Sequence, residues 1–178
     1  MLDEKIVSEE PPLYSCYGHI GQQVRVPLRG THAHRVLHGA INILTGSVVL
    51  LITEVWDQVT HQYFLGMIRS FWRGWSIVVF EDRGSPHTAD ESLYVADNLN
   101  IELRMLPTAT PELNAMDHLW RHVTADALAD RPVKSIEETA DHVCEHIYRM
   151  SPRQRLRQAG VLAENFWLRD LRLSKNFL

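Results

Sequence analysis

Apolar residues follow two different rhythms along the chain. Arg35 to Leu44 is a β-type run that ends at Thr45-Gly46, and Ser47 to Thr53 follows around Val48-Val49-Leu50-Leu51-Ile52. Two such runs split by a short Thr-Gly break predict a hairpin. The second run is apolar without alternation, which predicts a strand covered on both faces. The period then changes. Trp56, Val59, Tyr63, Met67 and Phe71 recur at steps of three and four, so they predict one apolar helix stripe, closed by Gly74. Ile77-Val78-Val79-Phe80 predicts another buried strand, ending at Glu81-Asp82, and Gly84 and Pro86 break the chain after it. Thr88 to Asn98 has helical character. Ile101, Leu103 and Met105 alternate with Glu102 and Arg104, as in a short strand.

Pro107 and Pro111 mark a loop, and from Glu112 the helical period returns through Leu113, Met116, Trp120, Val123 and Ala127. Pro132 interrupts it. Ser135, with Glu138 three residues on, predicts a capping box for a last long helix whose stripe is Ile136, Ala140, Val143, Ile147 and Met150. A hairpin, then β and α in alternation, then helices implies an α/β sheet with helices packed on it.

The chain has 178 residues, enough for one domain with a proper core, and 45% hydrophobic against 22% charged residues is ordinary globular usage. No apolar run approaches the roughly 20 residues that span a bilayer, and the acidic N-terminus has no signal-peptide pattern. Cys16 and Cys144 lie far apart with no zinc spacing, which suits a reducing, cytoplasmic protein. Charge is unevenly placed. Residues 1–148 carry 11 Lys+Arg against 20 Asp+Glu, whereas residues 149–178 carry 7 against 2. The basic tail comprises Arg149, Arg153, Arg155, Arg157, Arg169, Arg172 and Lys175. It reads equally as a phosphate-contacting segment or as a solvated helix face.

Three acids stand where an α/β sheet places its sites. Asp82 follows an apolar strand, whose carboxyl end is the usual edge of a ligand crevice. Asp117 lies beside the core stripe near a helix start, where an acid also favours the helix dipole. Asp3 lies in the extreme N-terminal segment, where termini often fray. Each acid taken alone is equally a turn, cap or terminal residue.

Their surroundings join them. Leu106-Pro107-Thr108-Ala109-Thr110-Pro111-Glu112-Leu113-Asn114-Ala115-Met116-Asp117-His118-Leu119-Trp120 resembles the signature of the bacterial insertion-sequence branch of the mariner-type DDE transposases. Val79-Phe80-Glu81-Asp82, with His87 five residues beyond, is similar to that family's second-acid motif, and 34 residues separate Asp82 from Asp117. Leu2-Asp3-Glu4 looks like its first-acid motif, and Gly39-Ala40 and Thr45-Gly46 resemble its hairpin region.

The resemblance covers roughly residues 1–150. It implies a ribonuclease H-like α/β domain, with a mixed five-stranded sheet flanked by helices and the acids at its centre, followed by a basic helical tail over 151–178. It implies that Asp3, Asp82 and Asp117 are catalytic and hold magnesium or manganese, as two ions, with Asp82 bridging them. The implied activity is DNA cleavage followed by strand transfer, in which a freed 3′-hydroxyl attacks target DNA. Arg83, His87, Asn114 and Arg121 are then expected to contact DNA or orient the acids. The implied partners are element ends and target DNA, a homo-oligomer assembled on them, and a separate helix-turn-helix polypeptide, acting on nucleoid DNA.

The sequence departs from the family pattern in four places. The last acid is Asp117, where bacterial relatives more often have Glu, and Arg83 follows Asp82 where many have Asn. Only two residues precede Asp3, so the first strand is expected to be clipped and the frame truncated or split. A helix-turn-helix region is not evident. The alternative is therefore an inactive remnant that binds DNA or a protein without cutting. Two other patterns compete. His142, Glu145 and His146 match the H-x-x-E-H pattern of inverted zinc peptidases, although the stripe of their helix puts them on its solvated side. His32, His34 and His38 share strand parity, as a metal-binding face or an exposed edge would.

Overall fold

A computed structural model of the chain describes residues 1–10, 12, 17, 19–21, 25, 32–129 and 135–173, the last two by backbone alone. Strand β1 (Leu2–Ser8) pairs antiparallel with β2 (His34–Ile41), and β2 pairs antiparallel with β3 (Val48–Thr53). The expected hairpin is present. The Asn42 side chain accepts from the backbone N–H of Leu44 and Thr45, and the Gly46 N–H donates to Asn42 O. Gly46 has φ +75°, and a Cβ there would lie 2.4 Å from the carbonyl oxygen of Pro152. Glycine meets both demands at once.

Side chains alternate across a strand, so this sheet is buried on two sides. Leu37, Ile41, Val48 and Leu50 face one core, and Leu2, Ala40 and Val49 face the other. Helices α4 (Ala115–Val123) and α5 (Ile136–Arg149) cover the first face. Helix α1 (Gln58–Phe71), capped by Asp57 and Thr60, covers the second.

Helix α1 turns a different face inward from the one its spacing predicts. His61, Phe64, Leu65 and Ile68 are buried, while Trp56, Val59, Tyr63 and Phe71 are exposed. Two apolar stripes run along this helix. The one that holds Phe64, Leu65 and Ile68 packs against the sheet, and His61 is carried in with it.

Strands β4 (Ile77–Glu81) and β5 (Ile101–Met105) are parallel, joined through α2 (Ser85–Thr88) and α3 (Asp90–Asn98). The helix expected over Thr88–Asn98 is thus divided, because Ala89 is extended at ψ 136°. The expected single five-stranded sheet is also divided. The described residues form a three-stranded antiparallel sheet, β1-β2-β3, and a two-stranded parallel one, β4-β5. Strand β4 packs against β1 with no ladder between them.

The two later stripes fall as predicted except at Leu113, which is only half-buried and lies in a short 3-10 turn, Pro111–Leu113, before α4 begins at Ala115. Met116, Trp120, Val123 and Ala127 are buried, and so are Ile136, Ala140, Val143, Ile147 and Met150. Ser135 caps α5 by accepting from Glu138 N. Helix α4 runs on into a π-helical turn, Thr124–Leu128; the Pro132 break lies outside the described residues. Helices α6 (Pro152–Gln158) and α7 (Arg169–Leu173) follow.

The basic segment is not one free face. Arg155 donates to the carbonyls of Ile147, Gly46 and Tyr148, and Arg149 pairs with Glu145. Leu156, Ala159 and Val161 belong to the core beneath α4. Lys175 and the side chain of Arg172 lie outside the described residues, as does Cys16. Among the described residues no helix is long and apolar enough to cross a membrane.

Candidate active site

Asp3 is the second residue of β1 and pairs across from Gly39. Asp82 follows the last residue of β4, and Asp117 is the third residue of α4. The three acids, taken from distant parts of the chain, line a single open cleft of about 410 Å³ with Arg83, Gly84, Asn114 and the loop Leu106–Pro111.

Specific bonds bring the acids together. Asn114, 3% exposed, donates from Nδ2 to Leu2 O at 2.8 Å while its Oδ1 accepts from Met116 N at 3.0 Å. One side chain therefore caps α4 and ties that helix to β1, which sets Asp117 beside Asp3. Gly39 allows the close approach of α4 to the sheet. A Cβ there would lie 2.4 Å from Met116 Cε and 2.6 Å from Trp120 Cζ2. Asp82 is held through Oδ1, which accepts from Gly84 N at 2.9 Å and bonds His87 Nδ1 at 2.7 Å. Asp117 Oδ2 accepts from Arg121, one helical turn on. Arg83 Nε donates to Leu106 O at 3.3 Å.

His87 and Asn114 were expected to contact DNA or orient the acids; both are buried, and their polar atoms are engaged inside the protein. The geometry gives them positioning work. Arg83 and Arg121 keep exposed side chains at the cleft.

The electrostatics differ sharply between the acids. Burial raises the Asp3 carboxyl from 3.8 to about 8, and the neighbouring charges of Glu4, Asp117 and Asp82 add to the shift. Its ionised form is disfavoured until a cation arrives. The bond from His87 holds Asp82 below the usual carboxylate range.

A second group of titratable residues lies behind this cleft, and sequence reasoning missed most of it. Because neighbours alternate on a strand, Glu4 points to the face opposite Asp3. Its Oε1 is 3.2 Å from His87 Nε2 and 3.4 Å from His38 Nδ1. Burial works against its charge, but these bonds prevail and hold it at about 2. Burial likewise opposes charge on His87, yet its bonds to Asp82 and Glu4 hold it at about 11. His61 and Glu81 are fully buried, 3.6 Å apart. Burial lowers His61 to about 4 and raises Glu81 to about 8. The phase of His61 with Phe64, Leu65 and Ile68 was the available signal for it.

The competing metal patterns do not assemble. Among the described residues the one grouping of three His, Cys, Asp or Glu ligand atoms within 4.8 Å is Glu4, His61 and His87. His142, Glu145 and His146 make no such group, and Glu145 is paired with Arg149. His32 and His34 are exposed while His38 is fully buried, because the burial of β2 changes along its length. The three aspartates also lie too far apart for that single-ion spacing.

Comparison with solved structures places the fold. The chain superposes on the Mos1 transposase paired-end complex with left transposon end at TM-score 0.71 and 20% identity, covering 99% of this chain and 55% of that one. For the mariner Mos1 paired-end complex with Mg the TM-score is 0.73 at 17% identity, covering 94% and 52%. For the isolated catalytic domain of Mos1 mariner transposase it is 0.61 at 17% identity, covering 89% and 73%. The fold is therefore that of the Mos1 catalytic domain, and the chain spans about half the length of the complexed transposase. No curated protein sequence matches the chain. The family described as DDE superfamily endonuclease matches residues 1–140, most of the chain, and the protein belongs to that family.

Proposed function

We propose that this chain is the catalytic core of a DDE transposase, which cleaves DNA phosphodiester bonds with divalent metal and transfers the freed end to target DNA. The observation that carries the reading is the convergence of Asp3, Asp82 and Asp117 on one cleft. The donor set is oxygen only, as magnesium or manganese prefers. Asp3 is destabilised as an anion by burial and then by its acidic neighbours, and a cation would relieve that repulsion. Bound divalent ions would neutralise charge on the attacking and leaving oxygens of an in-line displacement.

Asp82 would be the acid shared by two ions. His87 and Gly84 both bond its Oδ1, and among the described residues no hydrogen bond engages Oδ2. Asp3 and Asp117 each complete one ion's shell, and a spread wider than 4.8 Å suits two ions better than one. Asp3 must release its proton for this. Arg83 and Arg121 present exposed cations for phosphate at the cleft rim. The strands would act as one mixed sheet in the order β3-β2-β1-β4-β5, with β1 beside β4.

The Mos1 complexes with a transposon end and with magnesium support DNA and magnesium as ligands here. Two or more copies would assemble on paired DNA ends in the cytoplasm, with end recognition supplied by a helix-turn-helix polypeptide. The test is nicking of supercoiled plasmid in magnesium or manganese, beside chelator and zinc. Wild-type protein should nick only with magnesium or manganese, and Asp82→Asn and Asp117→Asn should each lose the activity. Folded wild-type protein that nicks in no metal would remove the claim and leave a non-cutting binding domain.

A further inference from the structure

His61 and Glu81 pose a problem that the aspartate cleft does not solve. Both side chains are fully buried, and among the described residues neither ring nitrogen of His61 nor either carboxylate oxygen of Glu81 has a hydrogen-bond partner. Their closest approach, 3.6 Å, is beyond hydrogen-bond distance. Buried polar atoms are almost always satisfied, because leaving them bare costs several kcal/mol. Four such atoms side by side point to an occupant.

The surroundings indicate its chemistry. One ligand atom each from Glu4, His61 and His87 falls within 4.8 Å of the others. The His61 and His87 rings have centroids 4.6 Å apart. In a tetrahedral shell with bonds of about 2.0–2.1 Å, ligand atoms stand roughly 3.4 Å apart. The Glu4 Oε1 to His87 Nε2 distance is already 3.2 Å.

The far side of His87 is arranged as in metal sites, and a carboxylate stands close to His61. His87 Nδ1 lies 2.7 Å from Asp82 Oδ1, and His61 lies next to Glu81. A metal-bound imidazole commonly directs its second nitrogen to a carboxylate in this way. Imidazole with carboxylate suits zinc-class ions, whereas the oxygen-only aspartate cleft suits magnesium.

We propose that Glu4, His61 and His87 form a second, buried binding site for a zinc-class divalent ion behind the aspartate cleft. Glu4 Oε1, one ring nitrogen of His61 and His87 Nε2 are its protein ligands, with Glu81 accepting from the other nitrogen of His61. The ion displaces the proton that otherwise bridges His87 and Glu4. Since His87 also bonds Asp82, the ion would fix the orientation of that carboxylate. The site is independent of the nuclease reading and survives if that reading fails.

Cobalt is the probe, because four-coordinate cobalt has intense visible absorption that a six-coordinate oxygen site lacks. The protein is stripped with chelator, and the aspartate cleft is disabled by Asp3→Asn with Asp117→Asn. This double variant should bind one equivalent of cobalt with those bands, and zinc should displace it. Adding His61→Leu should abolish the bands while the circular dichroism of the fold is retained. Should the leucine variant fail to fold, Glu4→Gln carries the same readout. A folded double variant without such bands, or with bands unchanged by His61→Leu and Glu4→Gln, overturns the proposal and leaves the pocket to water.

Discussion

Asp3→Asn tests the electrostatics of the cleft most directly. In the folded protein this carboxyl keeps its proton to about pH 8, while its ordinary value is 3.8. Between those values the unfolded chain has released the proton and the folded chain has not. The folded state binds more protons, so stability falls as pH rises through that window, by about 1.4 kcal/mol per unit. From pH 5 to pH 7 the loss assigned to Asp3 is roughly 3 kcal/mol. Asparagine has nearly the same shape and does not titrate. In chelator, Asp3→Asn should therefore gain on wild type by roughly 3 kcal/mol over those two units, measured by urea denaturation at several pH values. Magnesium should reverse the order, stabilising wild type at pH 8 and leaving the variant unmoved. A stability difference that stays flat from pH 5 to pH 8 in chelator would refute the reasoning, because Asp3 would then be an ordinary exposed acid.

Other substitutions probe the scaffold. Asn114→Ala removes both the α4 cap and the bond to Leu2 O; it should destabilise by about 1–3 kcal/mol and weaken manganese binding, read by denaturation and calorimetry. Gly39→Ala forces a methyl against Met116 and Trp120 and should cost about 1–3 kcal/mol, seen as a lower melting temperature. Arg155→Ala removes a donor from three carbonyls, of which Ile147 O keeps Met150 N, and should destabilise by about 2 kcal/mol. A variant as stable as wild type would show that Arg155 is a solvated surface cation instead.

Much of the architecture was legible in local pattern. The Asn42–Ser47 hairpin turn, β4, β5 and the stripes of α4 and α5 follow from period, turn residues and a serine cap, all properties of neighbouring residues. Asp3, Asp82 and Asp117 were legible through motif spacing, which a single chain carries openly. The face of α1 was not. Two stripes compete on that helix, and only the shape of the sheet beneath selects His61, Phe64, Leu65 and Ile68. The roles of Asn114 and His87 were equally hidden, since a polar residue in a motif reads the same whether it faces substrate or protein.

The sequence by itself determined which segments extend and which coil into helices, because periodicity is one-dimensional, and its resemblance to a family's motifs marked Asp3, Asp82 and Asp117, which line one cleft. Tertiary structure decided that Asn114 reaches Leu2, that Glu4 meets His87 on the far face of β1, and that His61 and Glu81 are enclosed together. Those contacts join residues far apart along the chain. They depend on how whole elements pack, and on the burial that packing imposes, which no local pattern encodes.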